Sequence, residues 1–182
     1  DCLIRSVQDP VAALEVRRIL GLLYMGRGEF VLALAELAQA LQLAEELGHE
    51  EGRMFCLASL ITVSRLRGDH QKTLALCPQL DGAATRAGHL QYLAGVRMSQ
   101  AWIALGAGQL DAAHDLLVQS ELLTRQMNLP VTTMVCSSYW ALLAARREEF
   151  GEALQRADQT LLLAAGERST GPGLLIPAWS LF

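Results

Sequence analysis

Lysine is almost missing from this chain: Lys72 stands alone, and arginine supplies the other cations among 15 Lys+Arg set against 19 Asp+Glu. A formal net charge of −4 over 182 residues leaves no basic footprint of the kind that neutralises phosphates, so no direct contact with nucleic acid is expected. The skew from lysine to arginine suggests codon usage of a high-GC bacterial genome. Long apolar runs are also missing, since Arg, Glu, Gln or Gly interrupts every stretch before about 18 apolar residues accumulate, and no membrane span is expected. The four cysteines, Cys2, Cys56, Cys77 and Cys136, include no CxxC pair and no histidine at metal-ligand spacing. They read as small buried hydrophobes of a reducing, cytoplasmic compartment rather than as disulfides or metal ligands.

Motifs of catalysis are lacking as well. Gly106-Ala107-Gly108 is followed by Gln109 and Leu110, with no Lys-Ser or Lys-Thr to complete a phosphate loop. Neither a G-x-S-x-G elbow nor an HExxH helix occurs, so no enzyme, no cofactor and no metal is expected. The chain opens Asp1-Cys2-Leu3-Ile4-Arg5, without an initiator methionine or a secretory pattern, and is read as a segment of something longer.

What the chain does contain is a period. Gly28-Glu29-Phe30 returns as Gly68-Asp69-His70, as Gly108-Gln109-Leu110 and as Glu148-Glu149-Phe150, each 40 residues after the last. A second set of corners, Gly48, Gly88 and Asn128, alternates with the first. Glycine and asparagine tolerate the left-handed conformation with which many helices end. Between the corners the apolar residues follow helical spacing: Leu14, Ile19, Leu20, Leu23 and Tyr24, then Phe30, Ala33, Leu34, Leu37, Ala40, Leu41 and Ala44. Asp9-Pro10 supplies a cap and an N1 proline for the first helix, and Pro130 returns to that slot three periods later.

The repeating unit is therefore a hairpin of two helices that must stack on its neighbours to bury its stripes. The predicted hairpins cover residues 11–47, 51–87, 90–127 and 131–166. Residues 1–168 form the repeat domain, and 169–182 form a linker, Ser169 to Gly173, with the start of a further helix from Leu174. Pro78, in the middle of the fourth helix, predicts a kink or break near Cys77, aided by Gly82. His49 and His89 lie one period apart beside helix ends and read as capping or solvent-facing residues. His114, in a slot filled elsewhere by Leu34, Leu74 and Leu154, reads as a hydrogen-bonded core histidine. An enzyme would require His114 to face a polar pocket beside an acid.

Leu20-Gly21, Tyr24, Gly28, Phe30, Ala33, Leu37 and Ala40 fall at the spacing of the tetratricopeptide repeat, and the first hairpin resembles that family residue by residue. In the third repeat Ala101, Ala104, Gly108, Leu110, Ala113 and Leu117 keep the pattern; in the fourth Ala141, Ala144, Phe150 and Ala153 do; the second keeps mainly Gly68. The unit is about six residues longer than the usual period of 34. With phrases such as Ala40-Leu41-Gln42-Leu43-Ala44-Glu45-Glu46-Leu47-Gly48, it resembles the helical sensor segments of MalT-like, LuxR-type bacterial transcription regulators.

The resemblance implies an all-α, right-handed superhelical solenoid of about four hairpins that serves as a non-catalytic interaction module. It also implies a concave face lined by the first helix of each hairpin, which on this sequence carries Glu15, Arg18, Leu22 and Met25, then Phe55, Ala58, Thr62 and Arg65, then Met98, Trp102 and Leu105, then Val135, Ser138, Leu142 and Arg146. The expected partner is a protein or peptide segment, or a small effector, contacting Arg18, Leu22, Met25, Phe55, Arg65, Met98, Trp102, Leu142 and Arg146. The Lys/Asn carboxylate clamp of chaperone-binding members is missing. Two rival readings remain at this point: Met98 and Trp102 as simple packing residues, and a structural scaffold that forms a homodimer through its exposed end.

Overall fold

A computed structural model describes residues 9–127 and 130–168, with side chains described as far as residue 165. Among these residues there are eight helices and no strand: α1 Pro10–Gly26, α2 Phe30–Glu46, α3 Glu50–Leu66, α4 His70–Ala87, α5 Leu90–Gly106, α6 Leu110–Met127, α7 Pro130–Arg146 and α8 Phe150–Arg168. The all-α array of four hairpins is as the sequence predicts, and each helix falls within a few residues of its expected bounds. Cys2, Asn128, Leu129 and the proposed linker and further helix, residues 169–182, lie outside the described residues.

The corners are built from local hydrogen bonds, which explains their regularity. At Gly48 the backbone φ is +62°, its N–H donates to Glu45 O at 3.2 Å, and His49 N–H donates to Ala44 O at 2.8 Å. That pair of bonds closes the last turn of a helix and satisfies two of its orphaned carbonyls. The same reach of five residues recurs from Glu29 to Tyr24, Asp69 to Ser64, His89 to Ala84, Gln109 to Ala104 and Glu149 to Ala144, each at 2.9 Å. Of the six corners among the described residues, five place glycine at the left-handed residue and one uses Glu148, φ +62°. Entry to the next helix is capped by side chains where one is available. Asp9 Oδ1 accepts from Val11 N–H at 2.9 Å, Asp69 Oδ1 from Lys72 N–H at 3.0 Å, and His49 Nδ1 from Gly52 N–H at 2.9 Å.

The described residues form two compact units, divided between residues 83 and 84. In the first, α2 packs on both α1 and α3. Leu14, Ala40, Ala44 and Cys56 form one buried cluster, and Ala33, Leu37, Leu60 and Val63 form another, joined by Leu76 from α4. Gly21 is small for a specific reason: a methyl there would lie 2.6 Å from Leu37 Cγ and 2.7 Å from its Cδ2. In the second unit α6 packs on α5 and α7, and α8 packs on α7. Ala94, Met98, Ala101, Leu105, Leu117, Tyr139, Trp140 and Leu143 make its core.

The break expected at Pro78 does not occur, because α4 runs without interruption from His70 to Ala87. Proline removes the N–H that would bond the Leu74 carbonyl. Leu74 and Pro78 both lie on the exposed side of α4, where water can satisfy that carbonyl. No helix among the described residues is long and apolar enough to cross a membrane.

Candidate functional site

In the first unit the expected binding face is carried by α1 and α3. Arg18 forms an ion pair with Glu15 one turn earlier on α1, and its guanidinium carbon sits 3.9 Å from the ring centroid of Phe55 on α3. A guanidinium over an aromatic face gains electrostatic attraction to the ring and fixes both side chains. Phe55 also packs against the Leu14–Cys56 cluster, and Met25 against the Leu37–Leu60 cluster. Leu22 is half-buried beside them. Arg65 is only 6% exposed and lies within the helix packing rather than open to a partner. Thr62 donates to the Ala58 carbonyl at 3.0 Å, so its hydroxyl is already used.

In the second unit the corresponding face is dominated by Trp102, whose ring lies 5.7 Å from Tyr139 and is tilted 39° to it. Val135 and Leu142 pack beside them against the core. Met98, 7% exposed, and Leu105, 1% exposed, belong to that core and present no contact surface, as the packing alternative for Met98 anticipates. Ser138 donates to its own helix at Val135 O, 2.7 Å, and Arg146 is exposed at the end of α7. The two faces thus share a design: an aromatic ring held in place by a neighbouring helix and flanked by half-buried aliphatic side chains.

No family model matches this chain, and no curated protein does. The residues themselves therefore carry the functional argument.

Three histidines bear on it. His49 is a helix cap through its Nδ1, and His89 makes no side-chain cap but meets Tyr92 edge-on at 5.9 Å. His114 is not the core residue expected. Its side chain is 40% exposed, with Nδ1 3.4 Å from Asp115 Oδ1 and its ring edge-on to Trp140 at 5.3 Å. The slot itself explains this, because Leu34, one of the residues that suggested a core position, is also only half-buried.

The cysteines are buried and free of disulfides among the described residues. Burial pushes the Cys56 thiol up from 9.0 to about 11, against a smaller opposing effect of Arg18. Burial does the same to Cys136, up to about 11, against a hydrogen bond from Ser120. A thiol held protonated is a poor nucleophile and a poor ligand.

One cluster escaped the sequence reading. On α6, Glu121 Oε1 receives Arg125 Nη2 at 3.1 Å and, from α8, Arg156 Nη1 at 3.5 Å. Arg156 also lies over the Trp140 ring of α7 at 5.4 Å. Laying the repeats over one another would have revealed it. Two periods earlier the same slots hold Leu41, Leu60 and Leu76, three apolar residues packed into one cluster.

Proposed function

We propose that the chain is a non-catalytic interaction module of the tetratricopeptide type, which binds a protein or peptide segment on the faces presented by the first helices of its hairpins. The observation that carries this reading is the Arg18–Phe55 stack with its Glu15 partner. Pre-positioned aromatic and arginine side chains of this kind are the residues that dominate binding energy at protein interfaces, and their ordering entropy is spent before the partner arrives. Trp102 beside Tyr139 offers the same chemistry in the second unit.

A displayed peptide library selected against the chain tests the proposal. Enriched peptides should lose about tenfold or more in affinity with Arg18→Ala, Phe55→Ala or Trp102→Ala, each checked for an unchanged helical circular-dichroism spectrum. Peptides indifferent to all three substitutions would refute the assignment of these faces. The longer repeat and the phrase Ala40 to Gly48 support the narrower reading of a sensor segment from a MalT-like bacterial regulator. The flanking sequence of the full-length gene product decides that point through the presence or absence of nucleotide-binding and helix-turn-helix segments.

A second reading, self-association, is favoured by α8. Phe150, Leu154 and Leu161 are exposed there, whereas Phe30, Leu34 and Leu41, in the same slots of the first hairpin, pack against the cluster of Ala33, Leu37, Leu60 and Val63. Light scattering of the chain and of a Leu154→Ser/Leu161→Ser variant separates the two: a dimer that becomes a monomer supports association through α8, and a monomer in both cases removes it.

A further inference from the structure

The polar cluster found between α6, α7 and α8 surrounds a cavity of about 290 Å³, close to the lower end of the range of small-molecule sites. Glu121 and Arg125 line it from α6, Ser137 and Trp140 from α7, and Arg156 and Gln159 from α8. In the first unit the slots of Glu121, Ser137, Trp140 and Arg156 hold Leu41, Leu57, Leu60 and Leu76. Leu57 and Leu60 are buried, and Leu41 and Leu76 pack around the Leu60 cluster. At this place an acid, a hydroxyl, an indole and a guanidinium stand where the first unit has four leucines.

Arg156 holds its partners at this cavity loosely. Trp140 is 8% exposed and its ring forms one wall. Arg156 reaches Glu121 and Glu152 only at 3.5 Å each, well beyond the 2.7–2.9 Å of a good charge-assisted bond. Its five N–H groups therefore retain capacity for a planar acceptor. Ser137 donates to Arg156 O at 3.2 Å and meets Gln159 Oε1 at 3.3 Å, which ties α7 to α8 and keeps the wall in place. Glu121 takes one oxygen to two guanidiniums, which fixes their spacing without saturating either.

From this geometry we infer that the cavity is a binding site for a small organic carboxylate, with Arg156 engaging the carboxylate and the Trp140 indole walling the ligand's apolar part. This site is separate from the first-helix faces and does not depend on their role.

The test uses the whole chain labelled with 15N and follows the indole N–H resonance of Trp140, assigned with Trp140→Phe. Benzoate is titrated first, with benzamide as its neutral counterpart, and succinate and inorganic phosphate as further anions. Benzoate should shift that resonance saturably, with benzamide at least about tenfold weaker. Arg156→Leu, which restores the residue of the Leu76 slot, should weaken benzoate binding by about 10- to 100-fold while the thermal midpoint is kept. Should Arg156→Leu fold poorly, Arg125→Gln supplies a second variant, expected to weaken binding by a smaller factor. The inference is overturned if benzoate and benzamide act alike, if only phosphate binds, if none of the four probes shifts the resonance, or if neither substitution changes the benzoate affinity.

Discussion

Glycine to alanine inside a helix ordinarily stabilises it, by about 1 kcal/mol from helix propensity and the smaller entropy of the unfolded chain. At Gly21 the sign should reverse. A methyl there would meet Leu37 Cγ at 2.6 Å and Cδ2 at 2.7 Å, roughly 1 Å inside normal carbon–carbon contact. Leu37 is fully buried among Ala33, Leu60 and Val63 and has no open direction in which to move. Overpacking of this kind costs about 1–3 kcal/mol, which outweighs the propensity gain at its upper end and cancels it at its lower. Gly95 is the internal control, since it lies within α5 and a methyl there would have nothing within 4 Å. Gly21→Ala should therefore lower stability in urea unfolding by up to about 2 kcal/mol, and Gly95→Ala should raise it by about 1 kcal/mol. Removing the clashing atoms supplies the decisive comparison. Leu37→Ala alone should cost about 2–5 kcal/mol, and in that background Gly21→Ala should become favourable, a coupling of about 1–3 kcal/mol. If Gly21→Ala stabilises as much as Gly95→Ala, or if the coupling falls within 0.5 kcal/mol of zero, the close contact of α1 with α2 at this point is wrong.

Three further outcomes follow from the same packing. Glu148 holds a left-handed conformation at a corner where Gly28, Gly68 and Gly108 do so without a Cβ, so Glu148→Gly should raise the thermal midpoint, by about 0.5–1 kcal/mol in stability. Pro78→Ala should stabilise α4 by about 1–3 kcal/mol in urea unfolding, because it restores an N–H donor to the Leu74 carbonyl on an exposed face and removes no buried contact. For Cys56 and Cys136 the folded thiols stay protonated up to about 11, while unfolded thiols release their protons from about 9. Between these values the folded state binds more protons, so stability present below pH 9 falls as the pH rises to 11, by on the order of 2 kcal/mol per thiol. Cys56→Val/Cys136→Val, the residue of the Val16 and Val96 slots, should flatten that part of the pH–stability curve, and an unchanged slope would assign it to other groups.

The hairpins were legible because their signals are local. A helix end needs only a residue that accepts positive φ and an N–H that reaches back five residues, and both conditions are written within six positions of sequence at Gly28, Gly48, Gly68, Gly88 and Gly108. At Pro78 local chemistry alone does not decide the outcome: whether a missing N–H breaks a helix depends on which side of α4 the orphaned carbonyl faces. His114 differs for a related reason: sharing a slot with leucines does not entail burial, because the slot lies at the margin of the core. Arg18 over Phe55 joins residues 37 apart, and Arg156 with Glu121 joins residues 35 apart, distances over which no helical periodicity speaks. The repeat nevertheless carries that information in another form. Once Leu41, Leu60 and Leu76 are known to meet, Glu121, Trp140 and Arg156 must meet too, because the same backbone places them. In an array of this kind the departures from the repeat are therefore better pointers to function than the repeat itself, and they point most strongly where several departures fall on slots that touch.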